Sequence, residues 1–301
     1  MSLVFERVDE SKAQIHAMIV GVGDYPYLSG GRLFDDVGVV GSIANSRLGS
    51  PPISARELAS WMIRNLGPSA APRTSPTLGS LELLISPTED YLPPSATAPI
   101  AVETAKLKNI RDAFRRWSQR CDKSKDNVAL FYFCGHGLEH GLTLLLAEDF
   151  GADADCPWEN CIDFTTTWYG MADCKAATQC YFLDACRSTP IELLKGNASH
   201  STALKTTQTL KSPKRNAPIF QSAILGQEAE AKTNAASHFA KALIQSFESV
   251  GAANYDGQKW YVSTGSLGLA LQFLMERTKL RGGEAGVCAV RGESTFSAPL
   301  H

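Results

Sequence analysis

The sequence predicts an α/β fold with a mostly parallel central sheet and helices on both faces. Two observations lead there. Short, continuous apolar runs such as HAMIVGVGDYPYL (16–28), NVALFYFCGHG (127–137) and QCYFLDACRS (179–188) end in turn residues or polar groups, the pattern of strands buried on both faces. Between them lie segments whose apolar residues recur at helical spacing, and strands alternating with helices favour a parallel sheet.

Taken in order, residues 16–28 read as the first strand. From Ser54, SARELASWMIRNL carries a capping box, Ser54 with Glu57, and an apolar face of Leu58, Met62, Ile63 and Leu66. A Pro/Ser/Gly connection (67–80), the strand LELLI (81–85) and a Pro-rich loop through Pro99 follow. Residues 103–120 form a second amphipathic helix with Leu107, Ile110, Phe114 and Trp117 on one face. The strand NVALFYFCGHG runs into LTLLLAED, a further strand, and a helix at 165–176 leads into QCYFLDACRS. KWYVS (259–263), a helix at 265–280 and GVCAV (286–290) are expected to complete the far side of the sheet.

At 301 residues and 44% hydrophobic content the chain can bury a sizeable core as one domain, 1–301. A formal charge of −2, without a dominant basic block, argues against nucleic acid as partner. No signal-like N-terminus and no long apolar window is read, so the expectation is a cytoplasmic protein without membrane insertion. The eight cysteines are irregularly spaced and are read as free thiols.

In parallel sheets ligands bind at the carboxyl ends of strands. His136 lies just past the end of one predicted strand and Cys186 just past the end of another, so both emerge at one edge and can meet. An imidazole beside a thiol makes a nucleophilic pair. Gly135 and Gly137 flank His136, and the amides of Gly137 and Cys186 are the candidates for an oxyanion hole.

FYFCGHG and YFLDACRS together resemble the two catalytic motifs of caspase-like cysteine peptidases, the group of caspases, metacaspases and bacterial relatives. The two residues are 50 positions apart, a separation shared with caspases. MIVGVGDYPYL is similar to the family's first strand and turn, SARELASWM to its first helix, and IFQSAILGQEAEA with SHFAKALIQSF to its late strand and following helix. The resemblance covers about residues 15 to 250 and implies a three-layer caspase-like fold, a Cys186–His136 dyad, and a protein or peptide substrate. It points to the prokaryotic stand-alone type, controlled by a separate activator whose identity the sequence does not give. By analogy with bacterial members, a role in regulated cell death or antiphage defence and a pore-forming effector as substrate are the expectation.

Metacaspases recognise a basic P1 residue with an Asp before the Ala-Cys pair and another in their first helix. Asp184 matches the former, whereas Ser54-Ala55 replaces the latter. Caspases use an arginine upstream of that helix to bind Asp, and Arg47 lies near that position. Asp184 tips the expectation toward a basic P1 residue, with acidic or small apolar P1 as the alternative. Glu228 and Glu230 read as solvated carboxylates, and His140, His200 and His238 as ordinary polar residues.

Segment 187–216 holds Arg187, Lys195, Lys205, Lys211, Lys214 and Arg215 against one acid, Glu192. Family members often mature by cutting here, so the resemblance implies an exposed processing loop cut after Lys or Arg. Two rivals stand beside the peptidase. Cys134, His136, His140, Cys156 and Cys161 have the residue types of a zinc site, but no C-x-x-C pair. A catalytically silent caspase-fold interaction protein is the other. No cofactor is expected, with calcium dependence, as in some metacaspases, left open: EDFGADAD (148–155) has carboxylates without the spacing of a dedicated calcium loop.

Overall fold

The computed structural model describes residues 1–34, 43, 46–67, 76–94, 96–139, 141–153, 155–185, 201–207, 215–222, 235–255, 260–280 and 289–291. Strand β1 is Leu3–Glu6 and β2 is Gln14–Val22, buried along its whole length as its unbroken apolar run predicts. Helix α1, Ser50–Leu66, starts one turn before the predicted capping box. Pro51 and Pro52 occupy its first turn. Proline has no N–H to satisfy there, so the helix begins without a side-chain cap, and Ser54 lies inside it, fully buried. Leu58, Met62, Ile63 and Leu66 face the core as expected. A Cβ at Gly21 would come within 2.5 Å of the Pro51 carbonyl, so glycine lets the start of α1 sit directly on β2.

Strand β3 (Thr77–Ser86) contains the predicted LELLI, and the short β4 (Asp90–Tyr91) and β5 (Ile100–Ala101) pair with each other. Helix α2 is Leu107–Cys121, its four predicted core residues buried. Asp149 Oδ1 accepts the Leu107 N–H at 2.8 Å, capping the helix from a distant loop. Strand β6 is Val128–Gly135.

LTLLLAED departs from the expected alternation. After β6 the chain forms a hairpin, β7 (Gly137–Glu139) with β8 (Thr143–Leu146), extended by β9 (Cys161–Asp163) into a separate three-stranded antiparallel sheet. Three residues separate β7 from β8, too few for a crossover, so the strands must run antiparallel. Helix α3 is Phe164–Gly170, shorter than predicted and followed by a 3-10 turn, Met171–Asp173. Then come β10 (Thr178–Ala185), β11 (Ile219–Gln221) and α4 (His238–Gln245). KWYVS does not join the main sheet: β12 (Ala252–Tyr255) and β13 (Trp260–Val262) form their own hairpin. Helix α5 (Thr264–Leu280) and β14 (Ala289–Arg291) end the described chain.

The main sheet has the order β1-β3-β2-β6-β10-β11-β14. The five inner strands are mutually parallel, and the two edge strands run antiparallel to their neighbours. Alternation along β6 sends Ala129, Phe131 and Phe133 into one apolar layer with α2 and α3. Leu130, Tyr132 and Cys134 enter the other, beneath α1, α4 and α5. This is the expected three-layer arrangement of a mostly parallel sheet between helices. Among the described residues no helix is long and apolar enough to cross a membrane.

Candidate active site

Strands β6 and β10 lie side by side in one register, which runs through Leu183↔Phe133, Asp184↔Cys134 and Ala185↔Gly135. The chain emerges from β6 at His136. The described part of β10 stops at Ala185, and Cys186 is outside the described residues, as are His140, His200, Glu228 and Glu230.

His136 is half-buried, and its backbone is tied at both ends. Its N–H donates to Tyr25 Oη at 2.7 Å, and its carbonyl accepts the Leu146 N–H at 3.0 Å. The Tyr25 hydroxyl donates onward to the Leu146 carbonyl at 3.4 Å. Tyr25 also packs its ring against the imidazole, centroids 4.7 Å apart and planes tilted by 49°. Tyr25 comes from the turn after β2, so three segments hold the histidine. Gly135 makes this possible: its φ is +158°, and a Cβ there would lie 2.5 Å from Tyr25 Oη. Gly137 opens β7, in register with Leu145.

Asp184 follows the parity of Cys180 and Phe182 and enters the layer beneath α1 and α4. Only 5% of it is exposed. One oxygen, Oδ2, accepts from Tyr132 Oη at 3.0 Å, from Cys134 Sγ at 3.4 Å and from Ser237 Oγ. Burial raises its pKa, against the pull of Ser237, Tyr132 and Cys134. No cation touches it among the described residues. Ser54 belongs to the same cluster, since its Oγ accepts the Ser237 N–H at 2.9 Å. Ser237 Oγ also accepts the Ala240 N–H at 2.9 Å and so caps α4.

Sequence reasoning named Asp184 and Ser54, and the fold brings them together. It missed Tyr25, Tyr132 and Ser237. Ser237 had a visible signal, a serine immediately before the helical HFAKALIQ. Tyr132 had only its strand parity with Cys134.

Arg47 stands apart from this cluster. It pairs as an isolated bridge with Asp24, its Nε is 3.9 Å from Asp24 Oδ1, and its side chain is 79% exposed. Arg32 binds the same carboxylate.

The zinc candidates that the structure describes do not converge. Cys134 bonds Asp184 on one side of the sheet, while Cys161 packs in the opposite layer and donates to the Leu145 carbonyl at 3.7 Å. Among the described residues no three His, Cys, Asp or Glu side chains converge as metal ligands. In EDFGADAD, Asp149 caps α2, and Asp153 Oδ1 accepts the N–H groups of Asp155 and Cys156 at 2.9 and 3.2 Å. These carboxylates serve caps and turns.

Residues 77–261 match the family model described as caspase domain. The chain belongs to the caspase-domain family, a family of cysteine peptidases. Its fold is similar to that of caspase-1 from Spodoptera frugiperda, with a TM-score of 0.52 at 11% identity over 96% of this chain and 92% of that one. It is also 26% identical over 236 residues to the uncharacterized protein y4kE of Sinorhizobium fredii, which covers 74% of this chain and 65% of that protein. The match thus spans somewhat less than two thirds of that relative's length.

Proposed function

We propose that this caspase domain is a cysteine endopeptidase with Cys186 as nucleophile, His136 as its acid and base, and a preference for Lys or Arg at P1. The observation that carries the dyad is the register of β6 and β10, in which Gly135 and Ala185 are partners and His136 and Cys186 are the next residues. The Cys186 thiolate attacks the scissile carbonyl carbon, and the amides of Gly137 and Cys186 hold the oxyanion. As the C–N bond breaks, His136 gives its proton to the leaving amine and a thioester remains. His136 then takes a proton from water, which attacks the thioester and releases the acid product and the thiol.

Asp184 supports the basic preference. This buried carboxyl, surrounded by hydroxyls and a thiol, has no counter-ion among the described residues, and a P1 ammonium or guanidinium supplies one. Arg47, already facing Asp24 and largely exposed, gives no comparable support for an acidic P1 residue. The natural substrate on this reading is a protein, and a pore-forming effector cut during defence or regulated cell death is the candidate class.

Self-processing in 187–216 follows from the same preference. Within that segment Arg215 is unsuited to cleavage: its guanidinium lies 4.5 Å from the centroid of the Trp168 ring, and it donates to Gln179 Oε1 and to the Trp168 carbonyl, each at 2.9 Å. Thr202 and Leu204 are also tied down, through the Cys161 carbonyl at 2.8 Å and Thr167 Oγ1 at 2.9 Å. Cuts are expected after other basic residues of the segment.

A P1-diverse peptide library cut by the wild-type protein and by Cys186→Ala tests the proposal. Cleavage after Lys and Arg that vanishes in the variant supports it. Cleavage after Asp, or cleavage that survives Cys186→Ala, sinks it. A catalytically silent interaction protein is the second reading, and lack of cleavage by protein that folds normally would favour it.

A further inference from the structure

Helices α4 and α5 pack side by side over the sheet, and a cleft of about 250 Å³ opens between them. His238, Lys241 and Gln245 line it from α4, and Leu274, Arg277 and Thr278 from α5. No carboxylate is in the lining. Lys241 and Arg277 are exposed and make no ion pair among the described residues. Beside this trough, Leu269, Phe273 and Arg277 recur every four residues along one flank of α5. Leu269 is 70% and Phe273 54% exposed, which is unusual for two large apolar side chains one turn apart.

Each part of this surface narrows what fits it. Two cations with no ion pair among the described residues, in a cleft whose described lining holds no acid, favour an anionic occupant. A small inorganic anion would leave Phe273 and Leu269 without a role. A lipid surface calls for a larger cluster of basic residues than this one. An acidic residue beside a large apolar one, on a single peptide segment, satisfies both the cations and the exposed flank.

We propose that the α4–α5 cleft docks an acidic, apolar-bearing peptide segment of a partner protein. Docking reaches the candidate active site through one link. His238 follows Ser237, which caps α4, donates to Asp184 and bonds Ser54 through its backbone N–H. A segment gripping the first turn of α4 therefore bears on the carboxyl that selects the P1 residue. Only this coupling rests on the proposed peptidase activity; docking itself does not.

The test selects a displayed library of random 16-residue peptides on Cys186→Ala protein and measures recovered peptides by fluorescence anisotropy. Working on the inactive variant keeps the docking result independent of whether the dyad works. The expected peptides carry Asp or Glu next to Leu, Phe or Trp. Their affinity is expected to fall at least tenfold in Lys241→Glu with Arg277→Glu, and severalfold in Phe273→Ala, with melting temperatures unchanged. Saturating peptide is then expected to change kcat/KM of the wild-type protein for a Lys-P1 substrate at least twofold. Failure to recover a peptide that depends on Lys241 and Arg277 overturns the docking site. Binding competed fully by millimolar inorganic phosphate and indifferent to Phe273→Ala also overturns it, in favour of a small-anion site. Docking without any change in kcat/KM overturns the coupling alone, provided the wild-type protein cleaves.

Discussion

Glu82 and Asp184 are both buried carboxylates of one sheet, and they are compensated in opposite ways. Glu82, on β3, is inaccessible and receives Arg116 Nε at 3.2 Å, Arg116 Nη2 at 3.1 Å, the Arg120 guanidinium and Ser2 Oγ at 2.6 Å. Burial pushes its pKa up, but the hydrogen bonds from Arg116, Ser2 and Arg120 outweigh it and hold the carboxyl below its usual range. Asp184, on β10, has only neutral donors among the described residues, and burial leaves its pKa raised. A carboxylate with its counter-charges built in is part of the scaffold. One without them, on the proposed reading, takes its counter-charge from the substrate.

The strongest way to break that contrast is Glu82→Gln. It strands Arg116 and Arg120 beside a neutral amide and is expected to cost about 3 to 5 kcal/mol in urea unfolding, with P1 selectivity intact. A loss below 1 kcal/mol would remove Glu82 from the scaffold's supports.

Acid comes next. His16, buried against Ser80 with its Nδ1 2.9 Å from Ser80 Oγ, has its pKa pushed down to about 4 by burial first and by Arg120 second. The unfolded chain takes up that proton below about pH 6.5 and the folded chain only near 4, so stability falls as pH drops through this window, by about 3 kcal/mol. Glu82 adds a loss below its unfolded value of 4.5, continuing as pH falls through its lowered folded value. Asp184 has the opposite sign, because its raised pKa lets the folded state bind a proton before the unfolded one. Urea midpoints measured from pH 7 to pH 4 check this. A flat profile would contradict the environment of His16.

Asp184→Asn sharpens the contrast from the other side. Cleavage after Lys or Arg is expected to fall about 100-fold in kcat/KM, with little change in melting temperature. In the wild-type protein the same cleavage should decline on acidification at a higher pH than an ordinary aspartate would dictate, since the protonated carboxyl no longer attracts a cation. An equal loss on a small apolar P1 substrate would make Asp184 structural. The smallest effect belongs to Ser237→Ala, which removes the α4 cap and one donor to Asp184. We expect about 1 kcal/mol of stability and a severalfold drop in kcat/KM for basic P1.

The sequence displayed its inner strands clearly, because strands buried on both faces must be continuous apolar runs. It misdirected where polar requirements are met nonlocally. Ser54 with Glu57 imitates a capping box, yet the helix starts at Ser50, so the N–H groups such a box would serve lie within the helix, and Pro51 and Pro52 leave fewer donors to cap in its first turn. LTLLLAED and KWYVS are strands as expected, but strand character does not state which partner a strand takes, and short connections sent both to hairpins. The candidate site was legible as two strand ends and an aspartate. Its supports were not, because Tyr25 precedes His136 by 111 positions and nothing local marks their meeting.

The bond from Ser237 to Asp184 spans 53 positions and bears on biosynthesis. A ribosome that has released the chain only as far as residue 230 carries His136, Cys186 and Asp184 but not the serine that completes the aspartate's surroundings. Selectivity on the proposed reading is thus acquired late in translation, after the elements bearing the dyad have emerged.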